Sequence, residues 1–414
     1  MAPKYELNPD RKYSVAVVGG GIGGLCTTIG LLHQGVPVEI YEGPNSARAM
    51  KLIDPAIHEG FLNCATNNAW SDRQNFWFSF RNGQDTNNKF GTRFFDLWCE
   101  TGQSSVHRAR FLDELVALVP NELSHFGKKL VNAEDKGDHV VLHFEDGTKA
   151  KHSAVIGCDG VKSRLREVVL GRDHPAAKPV FSGKYAYRGL TPMEDAAALM
   201  GDELARNSQM YFGHGGHILT FPIEKGKTMN VVAFSTKEDG KWDDDVWVVP
   251  MNKEAMFKDF TGWTDSVQKC LSMMQKPDIW ALFDHPPAPT YTKGRICILG
   301  DAAHAGTPHN GAGAGQAIED ALCMSRLMRL VYDGVDIPRA FAAFDRVRRP
   351  RSQRQVQMAR DSGWLYDLQL PGYMDDWDKI KQMLEEKQNW IWNHDLEAEN
   401  KEAERVFNEE TSKL

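Results

Sequence analysis

No stretch of this 414-residue sequence reaches the roughly 18 consecutive apolar residues that a membrane-spanning helix needs, so no membrane protein is expected. The opening residues, MAPKYELNPDRK, lack the apolar core of a secretory signal. Cysteine is sparse. The seven, Cys26, Cys64, Cys99, Cys158, Cys270, Cys297 and Cys323, are scattered, odd in number and contain no C-x-x-C pair. Neither a disulfide framework nor a dithiol redox motif is expected, and a cytoplasmic protein with reduced thiols is. Positive charge is not in excess: the net charge is −7, which disfavours nucleic acid as a partner. Repeats and low-complexity tracts are absent. The histidines are not spaced as a metal site. HAGTPH holds His304 and His309 in one loop without supporting carboxylates, so no metal is expected. No nucleophile elbow for Ser-His-Asp chemistry is present.

What is there is a globular chain, 42% hydrophobic and 25% charged, long enough for two domains. Near its start lies KYSVAVVGGGIGGLCTTIGLLHQGVPVEIYE. SVAVV reads as a strand, Leu25 to Gln34 as a helix, and VPVEIY as a second strand with Glu42 just after it. Gly19, Gly21 and Gly24 fit G-x-G-x-x-G between the first strand and the helix. That layout suits a dinucleotide. Gly19 allows the tight turn, Gly21 leaves room for a pyrophosphate, and Gly24 lets helix and strand approach. The helix start offers unpaired N–H groups to phosphate, and Glu42 would accept the ribose hydroxyls. A purely structural glycine turn is the alternative, and the motif does not choose FAD over NAD.

Further on, HVVLHFEDGTKAKHSAVIG predicts strand, Asp-Gly turn, strand, and leads into CDGVKSRLR. Asp159 and Gly160 stand at a strand end, with Ser163, Arg164 and Arg166 at a helix start. Such a site can organise a phosphate or ribose, or be an ordinary Asx-turn. From Phe181 to Ala233 come strand-like segments with no long amphipathic helix, which predicts a mixed or antiparallel second sheet. Arg188 lies in it. Buried there it would need an anion; at the surface it would be inert.

The second glycine cluster is RICILGDAAHAGTPHNGAGAGQAIEDALCMSRLMRLV, read as strand, loop and long helix. Asp301 sits just past the strand, Pro308 stiffens the loop, and Gly311, Gly313 and Gly315 precede the helix. FAD has two polar ends and could use both clusters. Asp301 could then bond the ribityl or phosphate region. Backbone N–H groups from Gly311 through Ala312, Gly313 and Ala314 to Gly315 could face the flavin where reduction places negative charge.

In these motifs, and in their order, the sequence resembles the flavoprotein aromatic hydroxylases, the single-component FAD monooxygenases. Gly19 to Gly24 is similar to their FAD βαβ motif. Cys158-Asp159-Gly160 through Arg166 is similar to their DG motif, linked to both FAD and NAD(P)H, and Gly300-Asp301 through Gly315 to their GD motif. VHRARFLDEL is similar to their helix in which an arginine, Arg108 here, touches FAD. YRG at Tyr187–Gly189, TPHNGAGAGQAIEDA and IWNHDLEAEN look most like salicylate hydroxylases. One departure is that GPNSARAM follows Glu42 at once, where the family places an extra loop. That loop is either shortened or absent from the sequence, and a helix is expected at 46–52.

The resemblance implies an α/β fold. A Rossmann-like FAD domain would span 1–175 and 280–365, a sheet domain for substrate 176–279, and C-terminal helices 366–414, as brace or dimer contact. It implies FAD reduced by NADH or NADPH and oxidised by O2 to a C4a-hydroperoxide, which a phenolate attacks. For salicylate, loss of CO2 leaves catechol. The substrate would be a small aromatic acid and the protein a monomer or homodimer. Arg188 is the expected phenolate stabiliser, unless it pairs with a core acid. His309 is the expected polar or proton-relay group, unless it only holds the glycine loop. Tyr211 is a further catalytic candidate, and His214 and His217 are pocket candidates without a role. Related enzymes that act on 3-hydroxybenzoate or 6-hydroxynicotinate are the alternative.

Overall fold

The computed structural model describes residues 5–42, 53–85, 91–100, 102–106 and 108–411. The helix expected at 46–52 and the junction after Glu42 lie outside them. Val15–Gly19 (β1) is buried along its whole length and pairs in parallel on both sides, with Val38–Glu42 (β2) and with Ala154–Gly157. A strand covered on both faces shows no polar alternation, which is why it reads VAVVG. Ile22–His33 (α1) makes the β1–β2 crossover. Ile296–Ile298 and the edge strand Thr292–Lys293 complete a five-stranded sheet. The expected Asp-Gly hairpin is present, between Val140–Phe144 and Lys149–His152.

A second sheet has eight strands. Its order is Val248–Pro250, Gln275–Asp284, Val180–Pro192, Thr228–Thr236, Gly216–Ile223, Gln209–Gly213, Phe76–Asn82, Arg93–Trp98. Only the Gln209–Gly213 pairing with Phe76–Asn82 is parallel. The sheet is therefore mixed, but its membership differs from the domain limits expected above. Phe76–Asn82 and Arg93–Trp98 belong to it rather than to the nucleotide-binding unit, and Gln275–Asp284 runs across the 279/280 limit. The cause is a long-range pairing that no local pattern announces.

Strand alternation gives this sheet two working faces. Tyr187, Tyr211, Ile218, Val231 and Ala233 pack with Met256, Phe260 and Val267 of the helices on one side. Phe80, Met210 and Phe212 pack on the other side with Leu365 and Tyr366 from the end of the 30-residue helix Ile337–Tyr366. Of the C-terminal helices, Trp377–Trp392 adds Ile380 and Leu384 to that sheet face. Leu396–Thr411 instead packs Ala403, Val406 and Phe407 into the core of the nucleotide-binding unit.

The two units meet at a buried polar knot. Asp367, just past the long helix, accepts a hydrogen bond from His217 Nδ1 at 2.6 Å and pairs with Lys184 Nζ. Thr236 Oγ1 donates to the same carboxylate at 2.8 Å. His309 Nδ1 lies 3.2 Å from His217 Nε2. Burial holds His217 below its usual pKa even against the pull of Asp367. Burial, then the neighbouring His217, push His309 lower still. His285 is pushed down to about 3 by burial and by Arg166. These imidazoles are neutral in the folded chain and bind a proton on unfolding once the pH is below about 6.5. Their depressed pKa values therefore cost nothing above that pH and destabilise the fold below it. The urea midpoint should be flat from pH 8 to 7 and fall steadily from pH 6.5 to 5; a midpoint that holds to pH 5 would contradict neutral burial.

Candidate active site

A cavity of about 1250 Å³ runs along the carboxyl ends of the parallel strands. That is where an open α/β sheet binds ligands. Gly19, Gly21, Asp159, Gly160, Gly300, Asp301 and Ala314 all line it, so the first glycine turn, the DG segment and the GD segment open onto one space. Gly19 has φ +100°, which disfavours any side chain. A Cβ on Gly24 would stand 1.8 Å from the Gly19 carbonyl oxygen, so this glycine serves close packing of helix on strand. Glu42 aligns with Gly19 in the sheet register; its side chain and that of Arg108 lie outside the described residues.

Asp159 is committed locally. Its carboxylate accepts from Ser163 Oγ at 2.6 Å and from the N–H groups of Arg164 and Leu165 at 2.7 and 3.1 Å. These bonds give the carboxylate an Asx-type hold on the helix start, and they leave it at the wall of the cavity. Arg166 is fully buried and donates to the carbonyls of Ala176, Ala302, Ala303 and Pro286. It thus ties the DG helix to the short GD helix Asp301–His304.

At the other turn, Asp301 is exposed to the cavity. Pro308 to Asn310 form one 3-10 turn, Gly311 is left-handed, and Ala312 caps the helix Gly313–Arg329. Its first-turn N–H groups lack helical partners, and Ala314 presents that end to the cavity. Added Cβ atoms on Gly311, Gly313 and Gly315 would meet nothing within 4 Å. Thr307 Oγ1 and both polar side-chain atoms of Asn310 are buried without a partner among the described residues. An open cradle with unused donors fits the ring and ribityl end of a flavin.

Sequence reasoning missed the residue that shapes this turn. Asp320, fully buried, accepts from the Gly300 N–H at 3.0 Å, from His304 Nε2 at 2.5 Å and from Arg348 Nε at 2.8 Å. Burial alone would raise its pKa; His304 and Arg348 hold it down to about 2. The available signal was an aspartate in the apolar stripe Ala317, Ala321, Met324. His304 is thus a structural contact of this turn, through Asp320.

The three expected catalytic side chains are not brought together. His309 is buried in the polar knot, where it also holds the glycine loop. Arg188 is exposed and sits 4.8 Å over the Trp280 ring. It shares a sheet face with Ala186, Phe234 and His217 by strand register. Tyr211 lies on the opposite face with Ile218 and Phe260, away from His309. Strand parity is the reason it stands apart from the other two candidates. None of the three lines the main cavity. Among the described residues, no group of His, Cys, Asp and Glu is placed to hold a metal, and no helix is long and apolar enough to cross a membrane.

The FAD binding domain family matches residues 95–359. The 6-methylsalicylate 1-monooxygenase of Aspergillus terreus is 42% identical, over 96% of this chain and 93% of the relative. A salicylate hydroxylase of Pseudomonas putida is 37% identical, over 94% and 93%. A solved salicylate hydroxylase substrate complex superposes with a TM-score of 0.85 at 36% identity, covering 94% of this chain and 98% of that one. With the cavity and its glycine turns, these likenesses establish that the chain belongs to the FAD-dependent aromatic hydroxylases, as a monooxygenase of the salicylate hydroxylase type.

Proposed function

We propose that the chain converts salicylate, with NADH or NADPH and O2, to catechol and CO2. The observation that carries this reading is the single cavity shared by both glycine turns, in a chain similar to salicylate hydroxylases over nearly its whole length. Bound FAD supplies hydride acceptance and oxygen activation. The chain's own tasks are binding, orientation and charge. The turn at Gly19 and Gly21, with the start of α1, takes the pyrophosphate. Asp301 takes ribityl hydroxyls. The N–H groups at Gly311 to Ala314 stabilise negative charge on the reduced ring. Arg188 attracts the substrate's anionic groups, and His309 handles the phenolic proton.

A 6-methyl-substituted salicylate is the second reading, favoured by the 42% identical relative of that name. Flavin absorbance followed anaerobically with NADH or NADPH across a panel of aromatic acids separates these. Salicylates should accelerate reduction, and aerobic turnover should release CO2 with a catechol. A product that keeps its carboxylate would point to the 3-hydroxybenzoate or 6-hydroxynicotinate class and defeat the proposal.

Two substitutions test the assigned roles. Asp301→Ala should purify with less FAD and bind it at least about tenfold more weakly, a loss of roughly 1.4 kcal/mol; a fully loaded variant would refute the assignment. Arg188→Ala should keep its FAD while KM for salicylate rises about tenfold or more. Unchanged affinity and turnover would remove Arg188 from the site.

A further inference from the structure

The polar knot has a direction that its members fix one after another. Asp367 and His217 are fully buried, Lys184 and His309 nearly so. Three elements close over them: the sheet supplies Lys184, His217 and Thr236, the GD loop supplies His309, and the end of the long helix supplies Asp367. Asp367 would be raised by burial but is held below its ordinary value by His217 and Lys184. It is therefore a carboxylate, and a carboxylate only accepts. The 2.6 Å contact then requires the proton of His217 on Nδ1. His217 is neutral, so its Nε2 is a lone pair. The 3.2 Å contact in turn requires a proton on His309 Nδ1. His309 is neutral as well, which leaves its Nε2 unprotonated, and that atom is buried with no partner among the described residues. Gly363 lies against that edge of the ring. A Cβ there would come within 2.7 Å of Nε2, so only glycine lets the helix backbone pack against this edge without blocking the nitrogen by a side chain.

We propose that Asp367 and His217 are positioning residues that lock His309 in its Nδ1–H form, so that His309 Nε2 is the base that takes up the phenolic proton of the aromatic acid. This rests on the proposed function above. The transfer is direct or through one water. The phenolic O–H bond breaks, its electron pair stays on oxygen as phenolate, and the Nε2–H bond forms. The resulting imidazolium shares its charge through His217 with the Asp367 carboxylate. Lys184 already neutralises that carboxylate in the resting chain, so the counter-charge to the imidazolium is the phenolate formed in the same step.

The wild-type protein gives the first test without any substitution. Nitrogen-15 NMR of labelled histidines should report His217 and His309 as neutral Nδ1–H tautomers. An Nε2–H form or a resting imidazolium at His309 would overturn the proposal. The second test is Asp367→Asn. Lys184 and Thr236 both donate toward one oxygen of residue 367. They hold the amide oxygen of the variant, so its NH2 faces His217 Nδ1. Both tautomers then invert, and His309 Nε2 becomes a donor. With 5-nitrosalicylate as the probe, the absorbance of the bound phenol should show ionisation displaced upward by about one pH unit or more, tenfold in the ionisation constant. FAD should be retained. An unchanged ionisation profile in a folded, FAD-loaded variant would overturn the base assignment. A variant that does not fold leaves the decision to the wild-type NMR. Failure of the wild type to bind the nitrosalicylate would defeat the proposed function instead, with the tautomers still decided by NMR.

Discussion

The GD-turn end of the cavity depends on one buried carboxylate. Asp320 reaches back from its helix to the Gly300 N–H, and so closes the turn that carries Asp301. A carboxylate in a dry interior is costly unless its lone pairs are used. His304 uses one and Arg348 another, and Arg348 is itself held by Glu319 and Glu399. The network spans the GD turn, the helix after it, the long helix and the last helix. The turn's geometry is thus enforced by four elements rather than by its glycines. The glycines permit the backbone path, and the ion network selects it.

Around that fixed turn the two sheets do different work. The parallel sheet gives rigid strand ends, with glycine turns and helix starts placed for an extended, anionic cofactor. The eight-stranded sheet gives side chains in rows. Its outer helices cover the Tyr211 face in hydrophobic packing, while the face of Arg188 and His217 is covered in part by the end of the long helix and by Trp377–Trp392. Arg166 and the Asp367 knot bind the two sheets' neighbourhoods together through buried charge and backbone carbonyls, interactions that demand direction as well as proximity.

Much of this was legible in the sequence. The turn at Gly19 to Gly24 and the GD stretch have local signatures, because strand, glycine and helix start follow one another along the chain. Their convergence on one cavity could be reasoned from the ligand's two polar ends. The face to which Tyr211 points could not, since a shift of one residue in register reverses it. Nor could the membership of Phe76–Asn82 in the second sheet, a parallel pairing with a distant strand. Asp159 offered two roles, and its hold on the helix start is visible only in its hydrogen bonds. Asp367, His217 and Lys184 come from three separate segments. Nothing in FSGKYAY, GHILTF or LYDLQL taken alone marks them as partners.

The helix Ile337–Tyr366 carries Arg348 in its middle and is followed at once by Asp367. One continuous helix, with Pro350 inside it, therefore holds both buried ion clusters, the one behind the GD turn and the one behind the eight-stranded sheet. Each residue adds about 1.5 Å and about 100°. Its segment between the clusters acts as a ruler and a protractor together: adding or deleting one residue there would swing the second carboxylate off its histidine while leaving the first network intact. The length of this stretch is thus a constraint of its own, set by two electrostatic anchors that must be met at one rise and one phase.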